Sequence, residues 1–343
     1  MAKNDSIKAF PPGRVSCSAV VIVNPASGSY FHYARQIEET LVHLRRSGWS
    51  VELRLTNEAS ETRQQAREAV ARQVNVVIAA GGDGTINEII QELAGSETAL
   101  GVLPFGTVNV WARETNIPLD NTGACAVLLH GETRRIDLGK VNDRYFLLMV
   151  GIGLDAVIAQ AVEKKPIKRL GVLGYLLVGA WLGLGYESFR TRLTINGRLL
   201  RRNALQIVVG NTQLYGGAIK YTWRAKCDDG LLDVCVVRRR SMLGRLMVVW
   251  DFLFHRDQRQ QWVSYERCKT LEVYTRKPVA IQVDGDPSGD NDRAIFVKTQ
   301  IELILRNTRE IRSVQRMTRT WSLAPETDIE GDVDDHNGET DQA

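Results

Sequence analysis

No stretch of this chain restricts its fold more than Val76-Val77-Ile78-Ala79-Ala80-Gly81-Gly82-Asp83-Gly84-Thr85-Ile86-Asn87-Glu88-Ile89-Ile90. An apolar, β-branched run breaks into Gly-Gly-Asp-Gly-Thr, after which Ile86, Ile89, Ile90 and Leu93 recur at helical spacing. The pattern predicts strand, glycine turn, helix. Glycines let the backbone turn sharply and leave its amide groups bare. Such a turn feeds N–H groups into a helix N-terminus, where unsatisfied donors and the helix dipole favour a phosphate. Asp83 is the odd member, because a carboxylate beside a phosphate needs a cation between them or a proton to handle. The plainer alternative is a strand-to-helix turn whose aspartate serves the local backbone.

The same grammar recurs on both sides of this motif. Ala19 to Val23 reads as a buried strand and runs into Asn24-Pro25-Ala26-Ser27-Gly28-Ser29, a loop able to hold phosphate oxygens or to cap a helix. A helix through Ile37, Leu41 and Leu44 ends at Gly48, and Val51 to Leu55 reads as a strand. Thr56-Asn57-Glu58 then opens a polar helix to about Gln73. Leu100 to Leu103 makes a further strand, followed by Pro104-Phe105-Gly106-Thr107-Val108-Asn109 and a helix beginning at Val110. The alternation predicts a doubly wound, mostly parallel sheet, whose ligands gather beyond the carboxyl ends of its strands.

From about Arg134 the signals change to hairpins, at Val141-Asn142-Asp143-Arg144 and Ile195-Asn196-Gly197-Arg198. Short strands are expected at Tyr145 to Val150, Arg190 to Ile195, Leu205 to Val209, Leu232 to Val237, Cys268 to Tyr274, Val279 to Val283 and Thr299 to Leu305. These predict an antiparallel, β-rich second domain. The expected organisation is a disordered leader at 1–14, a nucleotide-binding α/β domain at 15–133, a β-rich domain at 134–310 and a disordered acidic tail at 311–343. Two apolar stretches interrupt the second domain. Leu170 to Leu184 is too short to span a bilayer and follows Lys164, Lys165, Lys168 and Arg169; Met242 to Phe254 is ringed by arginines. Each is expected to pack in the core or to touch a membrane interface.

Composition sharpens the choice of partner. The formal net charge of the 343 residues is +4, but Pro325 to Ala343 holds eight acidic residues and no Lys or Arg. The rest therefore sets 44 basic residues against 32 acidic ones, a net of +12. A basic body suits a nucleotide or an anionic membrane. Nucleic acid is not expected, since the basic residues show no aromatic interleaving. Five cysteines without a C-x-x-C pair and five histidines without metal-ligand spacing predict reduced thiols, no zinc and a cytoplasmic setting. Met1 to Arg14 has no apolar core of a signal peptide.

Three acidic motifs remain. Asp229-Gly230-Leu231-Leu232-Asp233 reads as a turn before a strand, with Asp229 able to join nearby carbonyls around a hard cation. Asp284-Gly285-Asp286 sets two carboxylates on one side if the strand persists that far. Gly151-Ile152-Gly153-Leu154-Asp155 is the third. Taken in order with Asn24-Pro25-Ala26-Ser27-Gly28, Gly81 to Glu88 and Gly106-Thr107-Val108-Asn109, they make the chain resemble the diacylglycerol-kinase catalytic-domain family, from about residue 17 to about 306. More narrowly it looks like the soluble bacterial lipid kinases related to sphingosine and ceramide kinases.

The resemblance implies an NAD-kinase-like N-terminal fold, a C-terminal β-sandwich, and transfer of a phosphoryl group from ATP with Mg²⁺ to a lipid hydroxyl at an anionic membrane surface. It implies an ATP site lined by Asn24, Pro25, Ser27, Gly28, Thr56, Gly81, Gly82, Asp83, Gly84, Thr85, Asn87, Glu88, Gly106, Thr107 and Asn109. Asp83 would lie near the Mg²⁺-bound phosphates. Asp229, with the carbonyls of Lys226 and Leu231, would match a structural Mg²⁺ loop. The family's last motif usually ends Asp-Gly-Glu and serves as proton acceptor; here its third position is Asp286, which makes Asp284 a competitor. A soluble-substrate kinase of the NAD-kinase type and a non-catalytic, nucleotide-regulated membrane-binding protein are the alternatives. A peripheral membrane location is expected, and a homodimer is left open.

Overall fold

The computed structural model describes residues 8–9, 17–25, 30–163, 171–214, 220–238 and 263–305. All belong to one compact unit, Met1–Arg306. Ser27, Gly28, the basic run at 164–169, the apolar stretch at 242–254 and the acidic tail lie outside the described residues.

The first half is built on four parallel strands in the order β3 (Ser50–Leu55), β2 (Ser18–Val23), β4 (Val76–Gly81) and β5 (Ala99–Pro104). Every residue of β4 and β5 is buried, as continuous apolar runs require when helices cover both faces. The covering helices are α1 (Tyr30–Arg46), α2 (Ala59–Ala71), α3 (Asp83–Leu93), the short α4 (Val110–Glu114) and α5 (Asn121–His130). In register, Val23 lies beside Leu55 and Ala80, and Gly81 beside Pro104. The loops that begin at Asn24, Thr56, Gly81 and Phe105 therefore leave one edge of the sheet together.

The second half is antiparallel, as expected. Strand β6 (Glu132–Val141) forms a hairpin with β7 (Arg144–Phe146), and β8 (Met149–Gly153) leads into α6 (Leu154–Glu163) and α7 (Gly171–Gly185). Strands β9 (Phe189–Ile195), β10 (Arg198–Gly210), β11 (Leu232–Arg238), β12 (Val263–Cys268), β13 (Leu271–Val283) and β14 (Asp286–Leu305) follow, while Lys8–Ala9, β1, pairs with β6. The long β14 joins the halves. It pairs with β13 near its start, with β6 along its second part, and with β5 at Leu303. Both sheets thus form one hydrogen-bonded path, which fixes the carboxylate turn between β13 and β14 relative to the parallel strands.

The structure differs from the sequence reading at several points. The strand expected from Cys268 to Tyr274 is two strands, because β12 ends at Cys268 and β13 starts at Leu271. Helices α5 and α6 and strand β6 carried no strong periodicity and were not anticipated. Helix α7 matches the apolar stretch at 170–184. Its Val178 packs with Leu154, Ile158 and Leu205, while Leu177 and Trp181 are 53% and 71% exposed. Among the described residues no helix is long and apolar enough to cross a membrane.

Candidate active site

The glycine turn is shaped by what lies against it. A Cβ on Gly81 would collide with Thr85, and one on Gly106 would collide with Gly82 Cα and approach Asn109 Oδ1 to 2.6 Å. The two loops touch backbone to backbone. Asn109 accepts the left-handed conformation (φ 52°) and binds its own loop through Gly106 N, Pro104 O and Gly106 O. Asp83 ties the two loops together: its Oδ2 accepts Val110 N at 2.9 Å and its Oδ1 accepts Trp111 N at 3.0 Å. The carboxylate thereby caps α4. Burial raises its pKa, and the Trp111 and Val110 amides oppose that rise. Helix α3, by contrast, begins at Gly82 without a side-chain cap, and the space beyond Gly84 is open. An eleven-residue helix with uncapped amides at a glycine turn is a fitting seat for a phosphate group. Thr107 is exposed at the same edge, and Asn24 and Pro25 are half-buried there. Thr56 is buried and bonded to Val23 O and Thr62, so it braces the edge from within.

The carboxylate turn reaches this edge from the other half. Asp284 and Gly285, at φ 51° and 96°, are the two central residues of the β13–β14 hairpin. Strand β13 has ended at Val283, so the expected same-face alternation of Asp284 and Asp286 does not hold. Their environments differ sharply. Asp284 accepts four N–H groups: Leu147 N at 2.8 Å, Leu148 N and Met149 N at 2.9 Å, and Asn87 Nδ2 at 2.7 Å. Burial pushes its carboxyl up to about 6 against the pull of those donors. Asp286 is 51% exposed and meets Arg144 Nη2 at 3.2 Å. Arg144 also donates to Asn87 Oδ1 at 2.9 Å and lies 3.7 Å from Glu88, which in turn pairs with Arg63. Asn87 and Glu88, on α3, thus face the carboxylate turn.

A second brace lies beneath the turn. Gly285 N donates to Gln282 Oε1 at 2.6 Å, and Gln282 Nε2 donates to Asp155 Oδ2 at 2.8 Å. Gln282 and Asp155 are both buried, and a Cβ on Gly151 would run into the Asp155 carboxylate. The Gly151 to Asp155 motif is therefore a support for the turn. Arg144 was missed as a site residue, although its hairpin was recognised; only the pairing of distant strands shows that it meets Asp286.

Residues 18–141 match the model of the diacylglycerol kinase catalytic domain, and residues 148–302 match that of the YegS C-terminal NAD kinase beta sandwich-like domain. The chain belongs to the diacylglycerol kinase catalytic-domain family. Curated relatives named diacylglycerol kinase, from Staphylococcus aureus strains RF122 / ET3-1 and JH9, are 29% identical over 275 residues, covering 79% of this chain and 86% of theirs. A Bacillus anthracis structure provisionally described as a diacylglycerol kinase superposes with a TM-score of 0.72 at 24% identity, covering 86% of this chain and 99% of that one. A second, titled diacylglycerol kinase, gives 0.66 at 20% identity. Both share the fold.

Within this family member, the Asp229 side chain of the implied cation loop is held by its neighbours. Asp229 Oδ1 accepts Leu231 N at 3.0 Å, and Asp229 Oδ2 pairs with Arg267 Nη2. Arg267 Nε also lies 3.6 Å from the buried Asp233. Both oxygens of the Asp229 carboxylate are thus engaged by protein donors. Lys226 is exposed. Among the described residues no three His, Cys, Asp or Glu side chains form a metal-sized cluster.

Proposed function

We propose that this protein is an ATP-dependent lipid kinase that phosphorylates a hydroxyl of diacylglycerol or a similar lipid, working as a peripheral protein on the anionic cytoplasmic face of a membrane. The observation that carries the reading is the side-chain bridge from the phosphate-loop helix to the carboxylate turn, through Asn87, Arg144, Asp284 and Asp286. Phosphoryl transfer asks chiefly for alignment of acceptor and phosphate and for neutralised charge. The Gly81–Thr85 turn and the α3 N-terminus would hold the nucleotide phosphates. The nucleotide supplies the phosphoryl group when bound, together with a divalent cation for which Mg²⁺ is the natural candidate.

The two aspartates then divide the work. Asp284 is saturated by four donors and positions the turn. Asp286 is accessible and takes the acceptor hydroxyl's proton, with Arg144 holding its carboxylate toward α3. Asp83 locks the Gly82 and Gly106 loops against each other and keeps the α3 amides aimed at one point. The test is transfer of labelled γ-phosphate to diacylglycerol, monoacylglycerol, sphingosine, ceramide and NAD offered in parallel. A labelled lipid that disappears in Asp286→Asn supports the reading. Label on NAD alone, or no product despite ATP binding, defeats it.

A further inference from the structure

A groove of about 580 Å³ opens on the β-rich half, lined by Arg190, Arg192, Arg201, Asn203, Tyr274 and Arg276 among others. Among the described residues, no carboxylate lines it. Register explains how the arginines converge: Arg201 lies directly opposite Arg192, Asn203 opposite Arg190, and Tyr274 beside Arg192 on the far strand. Like charges set directly opposite each other on adjacent strands destabilise a sheet. Arg192 is nevertheless held in place, its guanidinium 4.5 Å from the centre of the Tyr274 ring. Glu272, on the same strand as Tyr274, is engaged by Arg293 at 2.8 Å. An adjoining hollow shares Arg201, Arg202 and Asn203 with the groove and adds Arg238; the buried Nε atoms of Arg202 and Arg238 have no hydrogen-bond partner among the described residues. Among the described residues, the fold thus gathers guanidinium groups in hollows that no carboxylate lines.

We infer that this groove is a docking site for the phosphate headgroups of an anionic phospholipid leaflet. Guanidinium forks match phosphate oxygens in geometry and carry a fixed charge. The occupant is a membrane rather than a free phosphate ester because of what precedes the groove along the chain. Helix α7, with Trp181 and Leu177 exposed, runs into β9 through only three residues, 186–188. An exposed tryptophan and leucine one short linker along the chain from a cluster of arginines suit a surface that meets lipid headgroups and the acyl boundary together. The setting rests on the lipid-kinase reading, but binding can be measured without turnover.

The experiment is co-sedimentation of the full chain with phosphatidylcholine vesicles, with and without phosphatidylglycerol. Arg192→Gln/Arg201→Gln is compared with Arg45→Gln/Arg46→Gln, a control pair on α1 that removes the same charge. Each arginine at an anionic surface is worth roughly fivefold in partitioning, so the groove variant should bind phosphatidylglycerol vesicles roughly 25-fold more weakly. The control should lose far less. Turnover of a short-chain, monomeric diacylglycerol should not change in either variant. Equal binding by wild type and groove variant, or equal loss in the control, overturns the site. Displacement by glycerol phosphate beyond that caused by sodium chloride at equal ionic strength would also overturn it, in favour of a soluble phosphate ligand. If no lipid is phosphorylated while the groove variant still loses vesicle binding, the kinase reading falls and the groove stands.

Discussion

Replacing Asp284 by Asn separates positioning from chemistry. The carboxylate accepts three backbone amides and the Asn87 amide, two donors on each oxygen. An asparagine keeps one oxygen and presents an NH₂ to the other two donors, leaving them unsatisfied in a largely buried place. Each such loss costs about 1–3 kcal/mol, and removing a buried charge returns part of it, so the net cost should be about 2–4 kcal/mol. Asp286→Asn removes a half-exposed carboxylate with an Arg144 contact and should cost less than about 1 kcal/mol. Urea unfolding of both variants measures the difference. The pH dependence adds a second reading. Burial lifts the folded-state pKa of Asp284 from the ordinary range to about 6, so its contribution is fully present below pH 3.8 and is lost as pH rises through about 6. The gap between wild type and Asp284→Asn should therefore narrow across that window, by at most about 1.4 kcal/mol per pH unit. Equal stability of the two variants, or a gap that widens with pH, refutes the argument.

Other positions test the rest of the site. Gly106→Ala drives a methyl into Gly82 and Asn109, and should weaken nucleotide binding by well over tenfold by forcing the loops apart, read by calorimetric titration. Gly84→Ala meets no protein atom within 4 Å, so the melting temperature should hold or rise while ATP affinity falls, because the methyl enters the space proposed for phosphate. Asp83→Asn should loosen α4, since one of the Val110 and Trp111 amides loses its acceptor, and cost about 1–2 kcal/mol in thermal unfolding together with a drop in kcat. Asp155→Asn should lower kcat more than it raises KM, because Gln282 loses a charged acceptor and Gly285 its fixed partner; an unchanged kcat would remove Asp155 from the positioning chain.

Most of the parallel half was legible because β2, β4 and β5 are buried on both faces, and such strands announce themselves as continuous apolar runs. Val76 to Gly81 and Ala99 to Pro104 are wholly buried, and the loops after them stand where the pattern places them. The amphipathic period of α3 was equally plain in Ile86, Ile89, Ile90 and Leu93, all buried. The antiparallel half was readable as hairpins but not as a sheet. Nothing local in Arg144 says that it will meet Asp286 across 142 positions, or that Asn87 will reach Asp284 across 197. Those contacts depend on β14 pairing with β13, β6 and β5 in turn, a long-range property. Asp284 and Asp286 looked equivalent two residues apart; the two left-handed residues of the turn place one in a ring of amides and the other toward solvent.

That separation bears on the shortened third position of the last acidic motif. A carboxylate one methylene shorter than glutamate reaches less far, and Asp286 compensates only if the turn carrying it is held close to α3. The structure supplies that hold three times over. Asn87 bonds the Asp284 side chain, Arg144 spans Asn87 and Asp286, and Gln282 fixes Gly285 from below against the buried Asp155. Asp286→Glu then becomes an informative substitution. If reach limits the rate, the longer side chain should raise kcat severalfold with KM for ATP unchanged. If the braced turn already brings the carboxylate to the acceptor, the extra methylene overshoots and kcat should fall, and Arg144→Lys, which loosens the brace, should then partly restore it in the double variant.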